Sequence, residues 1–403
     1  MYNLTDRTVV LGVTGSIAIY KAVDLASKLT QAGARVEVVM TPEAARFVSP
    51  ITFDGVTGRR AVVDMWEPPV GPAEAHVALA RAADVLVVAP ATATTLARLA
   101  LGLAEEMVSL TALATRAPLL LCPAMDHQMY AHPATQAHVR TLAERGAYFV
   151  GPEEGRLASG QIGLGRMSEV ETIVAAVRYA LGRNGDLAGK KILVTAGGTQ
   201  EPIDPVRYVG NYSSGKMGFA VAEAARDRGA DVVLVAGPSG LPDPYGVRTL
   251  RVRRAVEMRD AVAQEAVDSD AVIMAAAVAD YEPERAAKGK IKREERDGLT
   301  LHLVRTPDIL AELSTRRRLV KVGFAAESHD LLANARLKLK RKNLDLIVAN
   351  DITEEGSGFG SDTNKVTILD GEGEEDLPLM SKYEVAWHIL DKVSKLLRKK
   401  AAP

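Results

Sequence analysis

Residues 191–225 read KILVTAGGTQEPIDPVRYVGNYSSGKMGFAVAEAA. KILV is an apolar strand, AGGTQ a glycine turn, and NYSSGKMG the opening of a helix that carries two serines, a glycine and a lysine. Strand, glycine turn and helix in that order are the grammar of a parallel βαβ unit, whose buried strands read as near-continuous apolar runs. The two serines, the glycine and the lysine, Lys216, at such a helix start are all good partners for phosphate oxygens. Serine also serves as an ordinary N-cap. The density of small polar residues on two adjoining turns favours an anion site over a simple cap.

The same grammar extends in both directions. Strands are expected at Lys190–Val194, Asp231–Ala236, Asp270–Ala275 and Leu344–Ala349, with helices from Lys216 to Arg228 and from Lys382 to Lys399. Upstream, Arg7–Val13, Arg35–Met40, Asp84–Ala89 and Leu119–Cys122 read as strands, and Ile17–Gln31 as an amphipathic helix. The expectation is α/β, two doubly wound parallel-sheet domains, with 403 residues divided in the polar segment LGRNGDLAGK (181–190) into 1–190 and 191–403. Two stretches read as mobile loops: 151–167, with five glycines, and the charged 282–298. The basic runs Arg316–Arg318 and Lys338–Lys342 read first as solvated helix faces.

Composition excludes several classes. Lys+Arg against Asp+Glu is 17 against 18 over residues 1–190 and 33 against 33 over 191–403, so neither half has the basic excess of a general nucleic-acid binder. The single cysteine, Cys122, excludes an internal disulfide and a multi-thiolate zinc site. The seven histidines form no HExxH. Neither a signal peptide nor an apolar run of ~18 residues is visible, so a cytoplasmic location is expected.

In VVLGVTGSIA (9–18) the glycine turn presents Gly15 and Ser16 at a helix start, suited to phosphate or simply to a tight turn. A dinucleotide site wants an acid at the tip of the second strand. Thr41 stands there instead, which disfavours NAD and allows a mononucleotide such as FMN. APATATTLA (89–97) and PAMDHQM (123–129) begin at strand C-terminal ends, where ligands of parallel sheets bind, so Thr92, Thr94, Met125 and Asp126 gain weight. His76 stands alone as a site candidate. In the second half GxxxxGK[ST] is absent. Asp280 follows a buried strand, Lys290 lies in the charged stretch beyond it, and Lys338 and Lys342 share a helix face.

GVTGSIAIYK, the HxxLxxxAD segment from His76, APATATTLA, PAMDHQM and GLGRM together resemble the homo-oligomeric flavin-containing cysteine decarboxylases. The second half resembles the ligase fused to the bacterial members. The whole chain is similar to the bifunctional phosphopantothenoylcysteine decarboxylase/phosphopantothenate–cysteine ligase family of coenzyme A biosynthesis. The resemblance implies a flavodoxin-like first half and a Rossmann-like second. It implies FMN held by Gly15, Ser16, Thr41 and the Pro90–Thr94 loop, with His76 as base and Met125 and Asp126 toward the substrate. For the ligase it implies CTP at Asp280, Lys290, the turn Pro307, Asp308, Ile309, Leu310, and Phe324, Lys338 and Lys342. Ser213, Ser214 and Gly215 would contact substrate, Asn211 would serve the acyl-cytidylate, Lys290 would neutralise charge, and Mg2+ would screen the triphosphate. The implied substrates are 4'-phosphopantothenate, L-cysteine and CTP, and the implied assembly is a dodecamer.

Two positions depart from the family pattern. Asp126 stands where the family has Asn, and Ser159 stands in the segment LASGQIGLGRM where many members carry the cysteine that donates a proton. An ionised Asp only accepts hydrogen bonds, and a hydroxyl is a far weaker acid than a thiol of pKa about 8.5. Two rival readings remain: an NAD(P)-dependent oxidoreductase with two nucleotide domains, disfavoured by the missing acids, and a non-catalytic flavin or nucleotide sensor.

Overall fold

The computed structural model describes residues 4–66, 75–292, 298–327, 331–351, 356–358 and 360–401. Contacts divide the chain into two units, Met1–Leu181 and Gly182–Pro403.

The first unit is built on a parallel sheet of β1 (Thr8–Val13), β2 (Arg35–Met40), β3 (Val85–Ala91), β4 (Leu119–Pro123) and β5 (Tyr148–Phe149), in the order β2-β1-β3-β4-β5. Val9–Val13 and the whole of β3 are buried, as strands covered on both faces must be. The helix Ile19–Gln31 buries Ile19, Ala22, Leu25, Ala26 and Leu29, the spacing of one helical face. Cys122 is fully buried in β4, and burial pushes its thiol up from the ordinary value. The strand order reverses between β1 and β3, which opens a crevice at their C-terminal ends.

Residues 151–167, expected as a loop, contain a hairpin of β6 (Glu153–Arg156) and β7 (Ile162–Arg166). Its outward residues Ile162 and Leu164 alternate with Gly163 and Gly165, so the strand has no apolar inner face to read. The glycines are there for close approach. A Cβ at Gly165 would lie 2.2 Å from the Met125 carbonyl oxygen, and the Met125 N–H donates to the Gly165 carbonyl at 3.0 Å. The ammonium of Lys21 holds the hairpin's exit, 2.9 Å from the Met167 carbonyl and 3.1 Å from Glu169.

The second unit carries β8 (Lys191–Ala196), the hairpin β9 (Gln200–Pro202) and β10 (Tyr208–Gly210), β11 (Asp231–Ala236), β12 (Arg248–Arg251), β13 (Ala271–Met274), the pair β14 (Tyr281–Pro283) and β15 (Leu303–Arg305), β16 (Val320–Glu327), β17 (Leu346–Asp351), β18 (Thr363–Asp370) and β19 (Glu374–Ser381). Its eight-stranded sheet runs β12-β11-β8-β13-β16-β17-β18-β19. The first six strands are parallel, β18 pairs antiparallel to β17, and β19 pairs antiparallel to β18. The order reverses at β8 and β13, directly after the KILV strand. Helices Lys216–Arg226 and Lys382–Ala401 cover one face, packed around Phe219, Val385 and Ile389. Met258, Leu310 and Leu339 belong to the layer on the other face. Helix Lys216–Arg226 lies flush on β8, where a Cβ at Gly218 would meet the Thr195 carbonyl oxygen at 2.6 Å.

Three sequence expectations shift. The division falls at the start of the polar segment 181–190 and not at its end, because Leu187 joins the second core and Asp186 takes two hydrogen bonds from Arg228, at 2.9 and 2.7 Å. Arg316–Arg318 lie beyond the short helix Ile309–Glu312, in a turn and bend instead of on a helix face. The charged stretch 282–298 begins inside β14, and its residues 293–297 lie outside the described residues. No helix among the described residues is long and apolar enough to cross a membrane.

Candidate active sites

The crevice of the first unit is a cavity of about 830 Å³. Gly15 and Ser16 enter from the β1 turn, Thr41 from the end of β2, Thr92 and Thr94 from the end of β3, Met125 and Asp126 from the end of β4, and Ser159 from the hairpin tip. Pro90 lies behind this wall, where its carbonyl accepts the Thr14 hydroxyl at 2.7 Å. Thr92 caps the helix Ala93–Leu101 by accepting from the Thr95 N–H. Ile17, Met129 and Met167 add apolar lining. His76, half-buried in the first turn of the helix Ala75–Ala82, is not part of the wall.

Asp126 and Ser159, the two departures from the family pattern, touch each other. Asp126 caps the helix His127–Ala131 by accepting from the Gln128 N–H at 3.0 Å, and its other oxygen accepts the Ser159 hydroxyl at 2.8 Å. These two donors hold the Asp126 carboxyl below its ordinary value, so it is ionised at neutral pH. Arg156 and Arg166 of the hairpin and Arg98 line the same cavity.

The crevice of the second unit is a cavity of about 510 Å³. Asn211, Ser213, Ser214 and Gly215 form one side, and Asp280, Phe324 and Lys338 another. The Asn211 side-chain amide donates to the Val278 carbonyl at 3.0 Å, and the Lys338 ammonium to the Phe324 carbonyl at 2.7 Å. Pro307–Leu310 and Lys342 are not in the wall. Asp308 caps its helix and accepts the Lys342 ammonium at 3.0 Å, while Ile309 and Leu310 are core residues. Lys290 is exposed and also outside the wall. Its neighbour Ile291 is held by the β9–β10 hairpin, where the Arg207 guanidinium donates to the Ile291 carbonyl at 2.9 Å and the Ile291 N–H donates to Asp204 at 3.2 Å. Sequence reasoning missed Lys382 and Asn364 in the wall, and marked Asn350 only as the end of a strand. The readable signal for Lys382 was a lysine heading a helix.

A family model described as "Flavoprotein" matches residues 1–182, and one described as "DNA/pantothenate metabolism flavoprotein C-terminal domain" matches residues 187–397. The "Coenzyme A biosynthesis bifunctional protein CoaBC" of Vibrio vulnificus is 44% identical over 400 residues, covering 98% of this chain and 100% of that protein. Its Bacillus subtilis counterpart is 46% identical over 398 residues, 98% of each. A crystal structure of the C-terminal domain of a protein of the same name is 41% identical over 53% of this chain and 99% of that one, with a TM-score of 0.46. The doubly wound units with crevices at their strand ends are those of a flavoprotein joined to a second α/β enzyme. The chain belongs to the coenzyme A biosynthesis bifunctional protein family, and it is a bifunctional enzyme that unites a decarboxylase with a ligase.

Proposed function

We propose that the second unit joins 4'-phosphopantothenate to L-cysteine at the expense of CTP, and that the first unit decarboxylates the resulting phosphopantothenoylcysteine to 4'-phosphopantetheine. The observation that supports this reading is that part of each expected set lines the crevice of its own unit: Gly15, Ser16, Thr41, Thr92, Thr94, Met125 and Asp126 in one, Asn211, Ser213, Ser214, Gly215, Asp280, Phe324 and Lys338 in the other.

The first cavity fits FMN. Its volume lies within the usual span for cofactor sites, hydroxyls and helix-start N–H groups gather at Ser16, Thr92 and Thr94, and the methionines offer apolar surface. When bound, FMN supplies reversible hydride acceptance at the cysteinyl carbon, the step that makes loss of CO2 feasible. The chain's part is placement and proton handling. Ionised Asp126 accepts a donor group of the substrate. Ser159, whose hydroxyl donates to Asp126, keeps the hairpin tip over the cavity. His76 serves as the active-site base, the role the family resemblance gives it.

In the second unit the phosphopantothenate carboxylate attacks the α-phosphate of CTP. An acyl-cytidylate forms and pyrophosphate leaves; the cysteine amine then attacks the acyl carbon and releases CMP. Lys290 neutralises charge in the first step and Asn211 serves the second. No group of three or more His, Cys, Asp or Glu side chains suited to a metal ion occurs among the described residues. Mg2+ travels with the triphosphate, with Asp280 as the carboxylate at hand. The enzyme works in the cytoplasm as a homo-oligomer, a dodecamer by family resemblance. Exposed Ile17, Tyr20 and Ile162 on the first unit, and Val206, Tyr208 and Tyr212 on the second, supply the apolar surface such packing needs.

The test is one assay with phosphopantothenate, cysteine, CTP and Mg2+ in which CO2 and pyrophosphate are followed separately. Both products are expected. Pyrophosphate without CO2 would remove the decarboxylase assignment, and absence of both would remove the whole reading.

A further inference from the structure

The cavity of the second unit is more positive than the assigned residues require. Lys216, Lys338 and Lys382 line it against one carboxylate, Asp280. Two of these lysines stand where helices disfavour them: Lys216 is the first residue of Lys216–Arg226, and Lys382 the first of Lys382–Ala401. The positive end of the helix dipole lies at both places and repels a cation. A cost repeated at two helices facing one cavity points to something the cations serve.

Lys382 is 6% exposed. Its ammonium donates to the carbonyls of Gly358, Ser361 and Thr363, so its hydrogen bonds are met. Its charge has no direct partner: among the described residues no carboxylate lies within ion-pair distance of it. Burial, and then the neighbouring Lys216, push this ammonium down from the ordinary lysine value, and the charge of Asp362 offsets this only in part, as expected of a buried cation short of counter-charge. Lys216 has a partner of the weak kind. It reaches Asp362 at 2.6 Å and the Gly360 carbonyl at 2.8 Å, and the Asp362 side chain is 89% exposed, where an ion pair contributes little.

The two lysines also stand apart from the residues assigned to the nucleotide. Their helices cover one face of the sheet, whereas the helix of Lys338 and the Asp308 turn lie on the other. We propose that Lys216 and Lys382 form an anion subsite at their end of the cavity, and that it takes a phosphate group of a substrate. The proposal rests on the ligase reading for its choice of ligand. Two groups of this chemistry enter that reaction: the terminal phosphates of the nucleotide, which leave as pyrophosphate, and the phosphate ester of phosphopantothenate. In binding, Lys216 exchanges the exposed Asp362 carboxylate for phosphate oxygen. Lys382 keeps its carbonyls and contributes its charge across the low-dielectric wall.

The test is calorimetric titration of the full chain with inorganic pyrophosphate, with 4'-phosphopantothenate and with CMP as a control. Lys216→Met is expected to weaken one of the first two by about tenfold, the loss of a charge-assisted hydrogen bond, and to leave CMP unchanged. The ligand that weakens names the source of the phosphate. Lys382→Gln keeps donors for the carbonyls and removes the charge, and should weaken the same ligand several-fold. Asp362→Asn removes the competing carboxylate and should tighten it. Unchanged affinity for both phosphate ligands in Lys216→Met, equal loss of CMP binding, or weaker binding in Asp362→Asn would each overturn the subsite. Because binding is read without turnover, an inactive ligase that still binds these anions would count against the ligase reading and not against the subsite.

Discussion

Asp204 is buried to 3% exposure at the turn of the β9–β10 hairpin, two residues beyond a strand of only three residues. The Arg207 guanidinium, against the opposing effect of burial, and the N–H groups of Val206, Ile291 and Arg207 hold its carboxyl well below the usual carboxylate range. A carboxyl depressed in the folded state contributes stability above its unfolded pKa, about 3.9, and loses it as pH falls further. Asp204→Asn should therefore flatten the acid limb of the second unit's stability below about pH 4, read as urea midpoints against pH. An acid limb as steep as that of the parent chain would count against this role. Cys122 gives a second residue-scale expectation. Its buried thiol is pushed up, so the reactive thiolate is scarce. A thiol reagent at about pH 8 should leave the native chain unlabelled and label one site per chain in denaturant; stoichiometric labelling of the native protein would refute the buried placement. Of these two residues, the sequence placed Cys122 at the end of an apolar strand and passed over Asp204, because nothing in EPIDPVR says that its carboxylate will meet the backbone of residue 291.

At the scale of elements, eight of the eleven parallel strands and the three helices given bounds were readable to within two residues at each end, since a strand covered on both faces must be apolar throughout, while β5, β12 and β16 were not named. The hairpin β6–β7 was not readable, because its alternation is between glycine and exposed apolar residues. Its fit against Met125 makes a sharp expectation. Gly165→Ala forces a methyl onto a carbonyl oxygen 2.2 Å away, so the hairpin must lift. We expect CO2 release to fall by at least tenfold with pyrophosphate release unchanged, and a destabilisation of about 1–3 kcal/mol. Full decarboxylase activity would mean that the hairpin does not need this contact. Gly218→Ala is the counterpart in the second unit, where the methyl meets the Thr195 carbonyl at 2.6 Å. Here pyrophosphate release should fall and CO2 release from supplied phosphopantothenoylcysteine should persist.

For the whole molecule, the meaningful boundary is the one the packing draws. Arg228, 5% exposed, binds Asp186, reaches Asp391 at 2.8 Å and lies 5.0 Å from the centre of the Trp387 ring. Arg228→Met should cost the second unit on the order of 3 kcal/mol, the low end for breaking a buried pair because both aspartates keep access to water. A fragment beginning at Gly182 should melt higher than one beginning at Lys191, which lacks Asp186 and Leu187; equal melting temperatures would place the boundary back at 190. The motifs and the resemblance named part of each cavity wall, but motif order carries no information on reach. His76, Lys290, Asp308 and Lys342 were named from the sequence beside residues that do line a cavity, and in the single chain they stand outside its wall.

The enclosed Cys122 has a consequence for chemical durability. With one thiol in the chain, and that one inside the core, peroxide finds no sulfur of the cysteine kind to convert to sulfenic or sulfinic acid. The oxidisable sulfur that borders chemistry belongs to thioethers: Met129, 50% exposed, and Met125 and Met167 beside it in the first cavity. Oxidative damage to the decarboxylase should therefore be written in methionine sulfoxide, a lesion that sulfoxide reductases reverse, while the ligase, with Met217 in its own cavity wall, records it separately.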